Sequence, residues 1–289
     1  MPIFNRKVRK KINGIEVSVY EVDLSSDEEL NKLKTFLINK IKRIKLFNEA
    51  ESYADLLSPP NLSRKFGQAL HERIKEICTP EDHKIKWFDV KRSFVSEFMS
   101  QLLLERKYSC LFFEDADKRI NVTPDQIDKH APGIDVTGIQ YQNSEFKFVV
   151  CEVKASGQSN IPCDSSELLL KDIEKARNSK NRVSREILYY LSKLKNIDID
   201  NDFLKEIITF LADLICESVS TDALINRLVF FPFLIRNNGK IIDDSNVKDF
   251  EGFHKDKLKD INLNGIIWSF EDNIDDFSRN IYEEALNDL

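Results

Sequence analysis

What the 289-residue sequence has little of sets the first limits on it. Glycine and proline are sparse, eight of each, so long regular elements should dominate over loops. No stretch approaches the roughly 18 uninterrupted apolar residues that a membrane-spanning helix needs, and no membrane partner is expected. The start, Met1 to Lys7, runs into charged residues without an apolar core or a small-residue cleavage site, which argues against a secretory signal. The cysteines, at 78, 110, 151, 163 and 216, are odd in number and lack CxxC spacing. They argue against a disulfide framework or a structural zinc site and fit a reducing, cytoplasmic setting. Nor is there an excess of positive charge: 43 Lys and Arg stand against 49 Asp and Glu, a formal net charge of −6. A constitutive nucleic-acid coat would not look like this.

What is present is a soluble globular composition, 42% hydrophobic and 32% charged, long enough for one large domain or two small ones. The charge is unevenly spread. Segment 171–195 carries eight Lys or Arg against three acids, a local charge of +5, and segment 243–289 carries five against thirteen, −8. A protein acidic overall can still offer a basic groove, because salt confines each field to about 10 Å.

Residues 14–22 alternate apolar and polar at a period of two and predict a strand. Leu30, Leu33, Leu37, Ile41 and Ile44 then step at helical spacing. Pro59 and Pro60 break the chain, and Phe66 to Cys78 predicts a helix. Trp87 to Arg106 holds a strongly periodic helix with Phe94, Phe98 and Leu102 on one stripe. The middle turns to β-formers: Tyr108 to Phe113, then Ile134 to Tyr141 and Phe146 to Val153, separated by the turn Gln142 to Glu145. Helices are predicted over about 166–195 and 202–217, strands over 227–236 and 265–270, and a final amphipathic helix over 275–289. The expected class is α/β (α+β). A largely helical N-terminal portion, 1–85, should pack on an αβββαβ-like core with a mixed C-terminal extension, 86–289.

The chemistry concentrates in Gly133-Ile134-Asp135-Val136-Thr137-Gly138 and Phe148 to Ser156. Glu152 and Lys154 are two apart in a strand and share a face, while Cys151 and Val153 point the other way. If the two strands pair antiparallel through the Gln142–Glu145 turn, Asp135 comes beside them. Two hard carboxylates can hold Mg²⁺ and leave positions for water and phosphate oxygens, with the Val153 carbonyl as a further ligand. Such an ion stabilises charge on a phosphate and acidifies a bound water. Lys154 can orient that water or help deprotonate it. The bland alternative is an ordinary solvated edge pair.

This run resembles the core of the PD-(D/E)xK nuclease superfamily, with Asp135 at its first acid, Glu152 at its second and Lys154 at its lysine. The resemblance implies a restriction-endonuclease-like mixed sheet flanked by helices and a Mg²⁺-dependent nuclease, with Mn²⁺ as a substitute and DNA as substrate. The helix before the core often adds an acid, and Glu97 is the matching candidate metal ligand. One departure is that Gly133 and Ile134 occupy the place of the usual proline, with Pro132 just upstream. More narrowly, the whole chain resembles the HamA family, nuclease subunits of the bacterial Hachiman anti-phage system. The likeness lies in the length, the helical front half, the late motif core and the long basic helix after it. It implies a partner helicase, HamB-like, that restrains the nuclease until aberrant or damaged DNA is engaged. A repair or restriction nuclease of the same superfamily, or a catalytically silent nucleic-acid-binding scaffold subunit, are the alternatives.

Further candidates surround the motif. Lys175, Arg177, Lys180, Arg182 and Arg185 can track phosphates along the basic helix, or form a solvated face. Gln158 is a candidate contact to the scissile phosphate or the water. His130 is more simply a loop histidine, and Cys151 and Cys163 lack the histidine that a thiol nucleophile requires. Lys40 to Lys45 reads as a solvated helix face and Arg6 to Lys11 as a polar terminus. Ile281, Tyr282, Ala285, Leu286 and Leu289 form an apolar stripe whose commoner destination is an intramolecular core rather than a partner.

Overall fold

β1 (Phe4–Ile12) and β2 (Ile15–Val22) turn back on each other at Gly14, whose φ of 87° suits a residue without a Cβ. The structure, a computed structural model, describes residues 3–12, 14–22, 27–43, 90–113, 134–142, 145–156, 171, 185, 187–189, 203, 205–210, 226–237, 250 and 262–287. After the hairpin come α1 (Asp27–Ile41), α2 (Val90–Tyr108), β3 (Cys110–Leu111), β4 (Val136–Gln142), β5 (Glu145–Ser156), β6 (Leu228–Asn237), β7 (Asn262–Phe270) and α3 (Ile274–Asn287). The helix ends follow from local chemistry. Asp27, Glu28 and Glu29 place negative charge in the first turn of α1. The Asn273 side chain caps α3 by accepting from the Asp275 and Asp276 amides, at 2.9 and 3.4 Å. α2 stops at Ser109, whose φ of 54° turns the chain into β3.

The seven strands form one mixed sheet in the order β1-β2-β7-β6-β5-β4-β3. β2, β7, β6 and β5 run parallel, and β1, on β2, and β4, on β5, run antiparallel to them. The four parallel strands therefore end together, at Val22, Phe270, Asn237 and Ser156.

Strand alternation gives the sheet two apolar faces. On the first, Val149, Cys151, Phe231, Phe233, Ile266 and Trp268 pack against α1, α2 and α3. Arg92 of α2 and Asp275 of α3 tie that helical layer with an ion pair of 2.7 Å. On the second, Phe148, Val150, Phe230, Leu234 and Ile267 meet Ile187, Phe203, Ile207 and Phe210 from the chain between β5 and β6. Phe146 stacks at 5.3 Å between ring centroids from Phe210. Helices thus cover both faces, and among the described residues no helix is long and apolar enough to cross a membrane.

Two expectations change here, and the intramolecular burial expected of the α3 stripe holds. The basic run Arg6 to Lys11 is not a polar terminus but a strand of the central sheet. Its cations pair across the ladder with acids of β2, Lys7 with Glu21 at 3.1 Å and Arg9 with Glu16 at 2.7 Å. A lysine-rich outer strand also discourages edge-to-edge association. Lys40 does not lie on a solvated face: it is 8% exposed, with its Nζ 5.9 Å from the centre of the Phe98 ring. Ile281, Tyr282 and Ala285 are buried within the helical layer, the intramolecular core expected of the stripe. Residues 44–89, which include the predicted helix Phe66 to Cys78 and the boundary near 85, lie outside the described residues, as does Leu289.

Candidate active site at the joined ends of β4 and β5

The register of the central hairpin carries the site. Gln142 faces Glu145 across the turn, and the pairing runs without a slip to Val136 opposite Cys151. One residue further, Asp135 comes level with Glu152. The Asp135 Oδ2 accepts a hydrogen bond of 2.8 Å from the Val153 amide, which holds the carboxylate against β5 just where β4 has ended. An amide and a carbonyl of one strand residue point to the same side. The Val153 carbonyl therefore faces the Asp135 side too, beyond the last paired residue of β4.

Gly138, three residues after Asp135, explains the second glycine of the motif. A Cβ there would stand 2.5 Å from Cε1 of Phe112 and 2.9 Å from the Leu111 carbonyl. Only a bare Cα lets the short β3 and the ring that follows it close over β4.

Alternation settles which way each side chain goes. Val149 and Cys151 belong to the first apolar face, with Val153 and Ala155 packed against it, so Glu152 and Lys154 lie on the second. Glu152 is 2% exposed; Asp135 and Lys154 are partly exposed. Burial pushes the Cys151 thiol well above its ordinary range, and the charges of Asp135 and Glu152 push it further, against a weaker opposing hydrogen bond from Ser100. The thiol, on the opposite face of β5 from Glu152, stays protonated. That removes Cys151 as a nucleophile.

Glu97 stands differently. It lies on α2, on the first face, where its carboxylate accepts from Ser93 Oγ at 3.1 Å and its carbonyl from Ser100 Oγ at 2.7 Å. It is one helical turn from the residue that touches Cys151. Among the described residues no group of three or more His, Cys, Asp or Glu side chains is placed to hold a metal ion.

Of the proposed phosphate-tracking residues, Arg185 is described: it is helical and exposed, while Ile187 turns inward onto the second face. Ile187 therefore lies over the face that bears Glu152 and Lys154. Lys175, Arg177, Lys180, Arg182, Gln158, His130 and Cys163 lie outside the described residues.

The donor set fits a hard divalent cation. It offers the second oxygen of Asp135, the carboxylate of Glu152 and the Val153 carbonyl, with no thiolate or imidazole among them. Sequence reasoning did not single out the burial of Arg236. It is 7% exposed, it follows Leu234 on the second face, and its backbone pairs with Ser156 just past the motif lysine. The available signal was a cation at the end of an otherwise apolar strand. Compared with known proteins, the chain matches no family model, no curated protein and no solved structure.

Proposed function

We propose that the chain is a Mg²⁺-dependent DNA nuclease of the PD-(D/E)xK type. The observation that carries this reading is the hydrogen bond from Val153 to Asp135, which fixes one acid beside the other with a lysine two residues on. The topology supports it. A helix, the strands β3-β4-β5 in order, a crossover with helical residues on the opposite face, and β6 beside β5 follow the arrangement expected of a restriction-endonuclease-like core.

In this reading Asp135, Glu152 and the Val153 carbonyl hold the ion, which when bound supplies Lewis-acid stabilisation and an acidified water. Asp135 is kept in place by the Val153 amide and spends one oxygen on it. Glu152 meets its ligand away from bulk solvent, where electrostatic interactions strengthen. Lys154, on the same face, orients the attacking water, takes its proton or offsets the charge growing on the phosphate. The exposed Arg185 extends the cationic surface for the flanking backbone.

The narrower reading is a HamA-like nuclease of a bacterial anti-phage system, held in check by a helicase subunit and released by aberrant or damaged DNA. The negative net charge of the chain agrees with restraint in isolation. The second reading is a catalytically silent nucleic-acid-binding subunit. Metal titration followed by thermal melting separates the two. A live site gives a melting temperature that rises with Mg²⁺ or Mn²⁺ in the wild type and does not respond in Glu152→Ala. No response in the wild type would favour the silent subunit.

A further inference from the structure

The two margins of the sheet are finished differently. β3, at one of them, has two residues; β1, at the other, has nine and among the described residues pairs with β2 alone. A marginal strand turns about half of its amides and carbonyls outward, and shortness, the simplest protection, is missing from β1. Its side chains divide by charge. The register slips between Arg6 and Val8, so that Arg6 faces Tyr20, Arg9 faces Ser18 and Lys11 faces Glu16. Tyr20 lies on the first apolar face, and alternation along β2 therefore sets Arg6, Arg9 and Lys11 on that one side, all three exposed. On the other side lie Val8, Lys10 and Ile12, each half-buried, with Val8 and Ile12 packed against the second apolar face. Without the bulge Arg6 would fall among the apolar residues. Four exposed cations, Arg6, Lys7, Arg9 and Lys11, stand beside two acids of β2 in a chain whose net charge is −6. Lys7 meets Glu21 at 3.1 Å and Arg9 meets Glu16 at 2.7 Å, but 48% and 57% of the two basic side chains stay open to solvent. Such pairs are weak and exchange readily for another anion.

From this arrangement we infer that β1 is a docking edge for an extended, acidic segment of a partner protein, which joins the sheet as one more strand. The chemistry of the occupant follows from the two sides of β1. Its backbone completes the outward hydrogen bonds of the edge. Acids at every second position answer the cations, since Arg9 and Lys11 are two residues, about 6.8 Å, apart and any strand laid beside them repeats at that step. Apolar residues at the intervening positions extend the cover over Val8 and Ile12. A second copy of β1 brings the same cations and is repelled, so the charge selects the partner as well as holding it. A nucleic-acid backbone answers the cations but neither the row of amides nor the apolar side. The edge is separated from the strands of Asp135 and Glu152 by β2, β7 and β6, and its role does not depend on what that site does. The competing role is protection alone, in which the cations and the bulge only keep other strands away.

The test is fluorescence anisotropy of a fluorescein-labelled nine-residue peptide, the length of β1, that alternates glutamate and valine, titrated with the full chain. One control peptide has the same composition with the alternation broken. Another keeps the sequence but is N-methylated throughout, which preserves the charge and removes every backbone donor. Saturable binding of the alternating peptide is expected at about 50 mM salt, severalfold weaker at about 300 mM. Both controls should bind about tenfold more weakly. The double variant Arg6→Gln, Lys11→Gln, with folding checked by circular dichroism, should lose about fivefold in affinity for the alternating peptide. Binding of either control within a factor of about two of the alternating peptide reduces β1 to a patch of charge and overturns the docking edge. So does a wild-type chain that does not bind the alternating peptide, or a folded double variant that binds it undiminished. The peptide arms use the wild type alone and decide the matter even if the double variant does not fold. A DNA oligonucleotide that binds the wild type and is lost in the double variant, with no peptide bound, would make the strip a nucleic-acid surface instead.

Discussion

The two faces of β5 are built from the same strand and have opposite fates. On the first, Val149, Cys151, Val153 and Ala155 feed an apolar layer capped by three helices. On the second, Phe146, Phe148 and Val150 are equally apolar, and then the face changes to Glu152, Lys154 and Ser156 without any break in alternation. Folding uses every position of the first face. Along the second it uses only the early positions, and the late ones carry charge into a buried place at a cost to stability. A buried acid with a basic neighbour two residues on, at the end of an otherwise apolar strand, is the feature on which the proposed chemistry rests.

The sharpest way to test that contrast is Glu152→Gln, which keeps the shape and removes the charge. Metal-dependent DNA cleavage is expected to fall to background, while the melting temperature in metal-free buffer holds or rises, because a carboxylate in a buried site is replaced by a neutral amide. A large loss of stability would mean that Glu152 serves the fold. Phe231→Ala, on the first face of the neighbouring strand, should show the opposite pattern. Its ring is fully buried and meets Tyr108 at 5.0 Å between centroids. About 3–5 kcal/mol of stability should be lost in urea unfolding, with folded protein retaining its rate. Gly138→Ala sits between the two, since the new methyl would press on Phe112 and the Leu111 carbonyl. A loss of about 1–3 kcal/mol is expected, together with weaker metal binding because β4 positions Asp135.

The smallest effect concerns pH. Burial raises the Cys110 thiol, the Cys151 thiol and the Tyr108 hydroxyl above their ordinary ranges. An unfolded cysteine ionises near about 8.5, so above that pH the unfolded chain gives up protons that the folded chain keeps. Stability is therefore full below that pH and falls as the pH rises through the alkaline range. Melting temperatures read from pH 7 to pH 10 should decline, and Cys151→Ala should flatten the decline.

Much of this arrangement was legible in the sequence. The two motif strands and their turn follow from alternation bounded by polar residues, and the register then brings Asp135 level with Glu152 by simple counting. α2 and α3 follow from three- and four-residue spacing. What escaped depended on partners distant in the chain. β1 has lysines at strand positions and makes sense as a strand only when Glu16 and Glu21 stand opposite. The burial of Lys40 depends on the Phe98 ring, from another helix. The stripe on α3 showed which side is apolar but not that α1 and α2 would cover it. Arg236 fell at the end of the predicted strand 227–236, and only the parallel pairing of β6 with β5 placed it opposite Ser156.

The central claim, that Asp135, Glu152 and Lys154 form a working phosphodiesterase centre, is tested most directly by cleavage. Purified chain is incubated with plasmid and linear DNA in Mg²⁺ or EDTA, wild type beside Glu152→Ala and Lys154→Ala, with and without a candidate helicase partner. The account predicts Mg²⁺-dependent degradation by the wild type in at least one of the two partner conditions, lost in both variants. DNA binding without cleavage in either condition, or cleavage that survives Glu152→Ala, would contradict it.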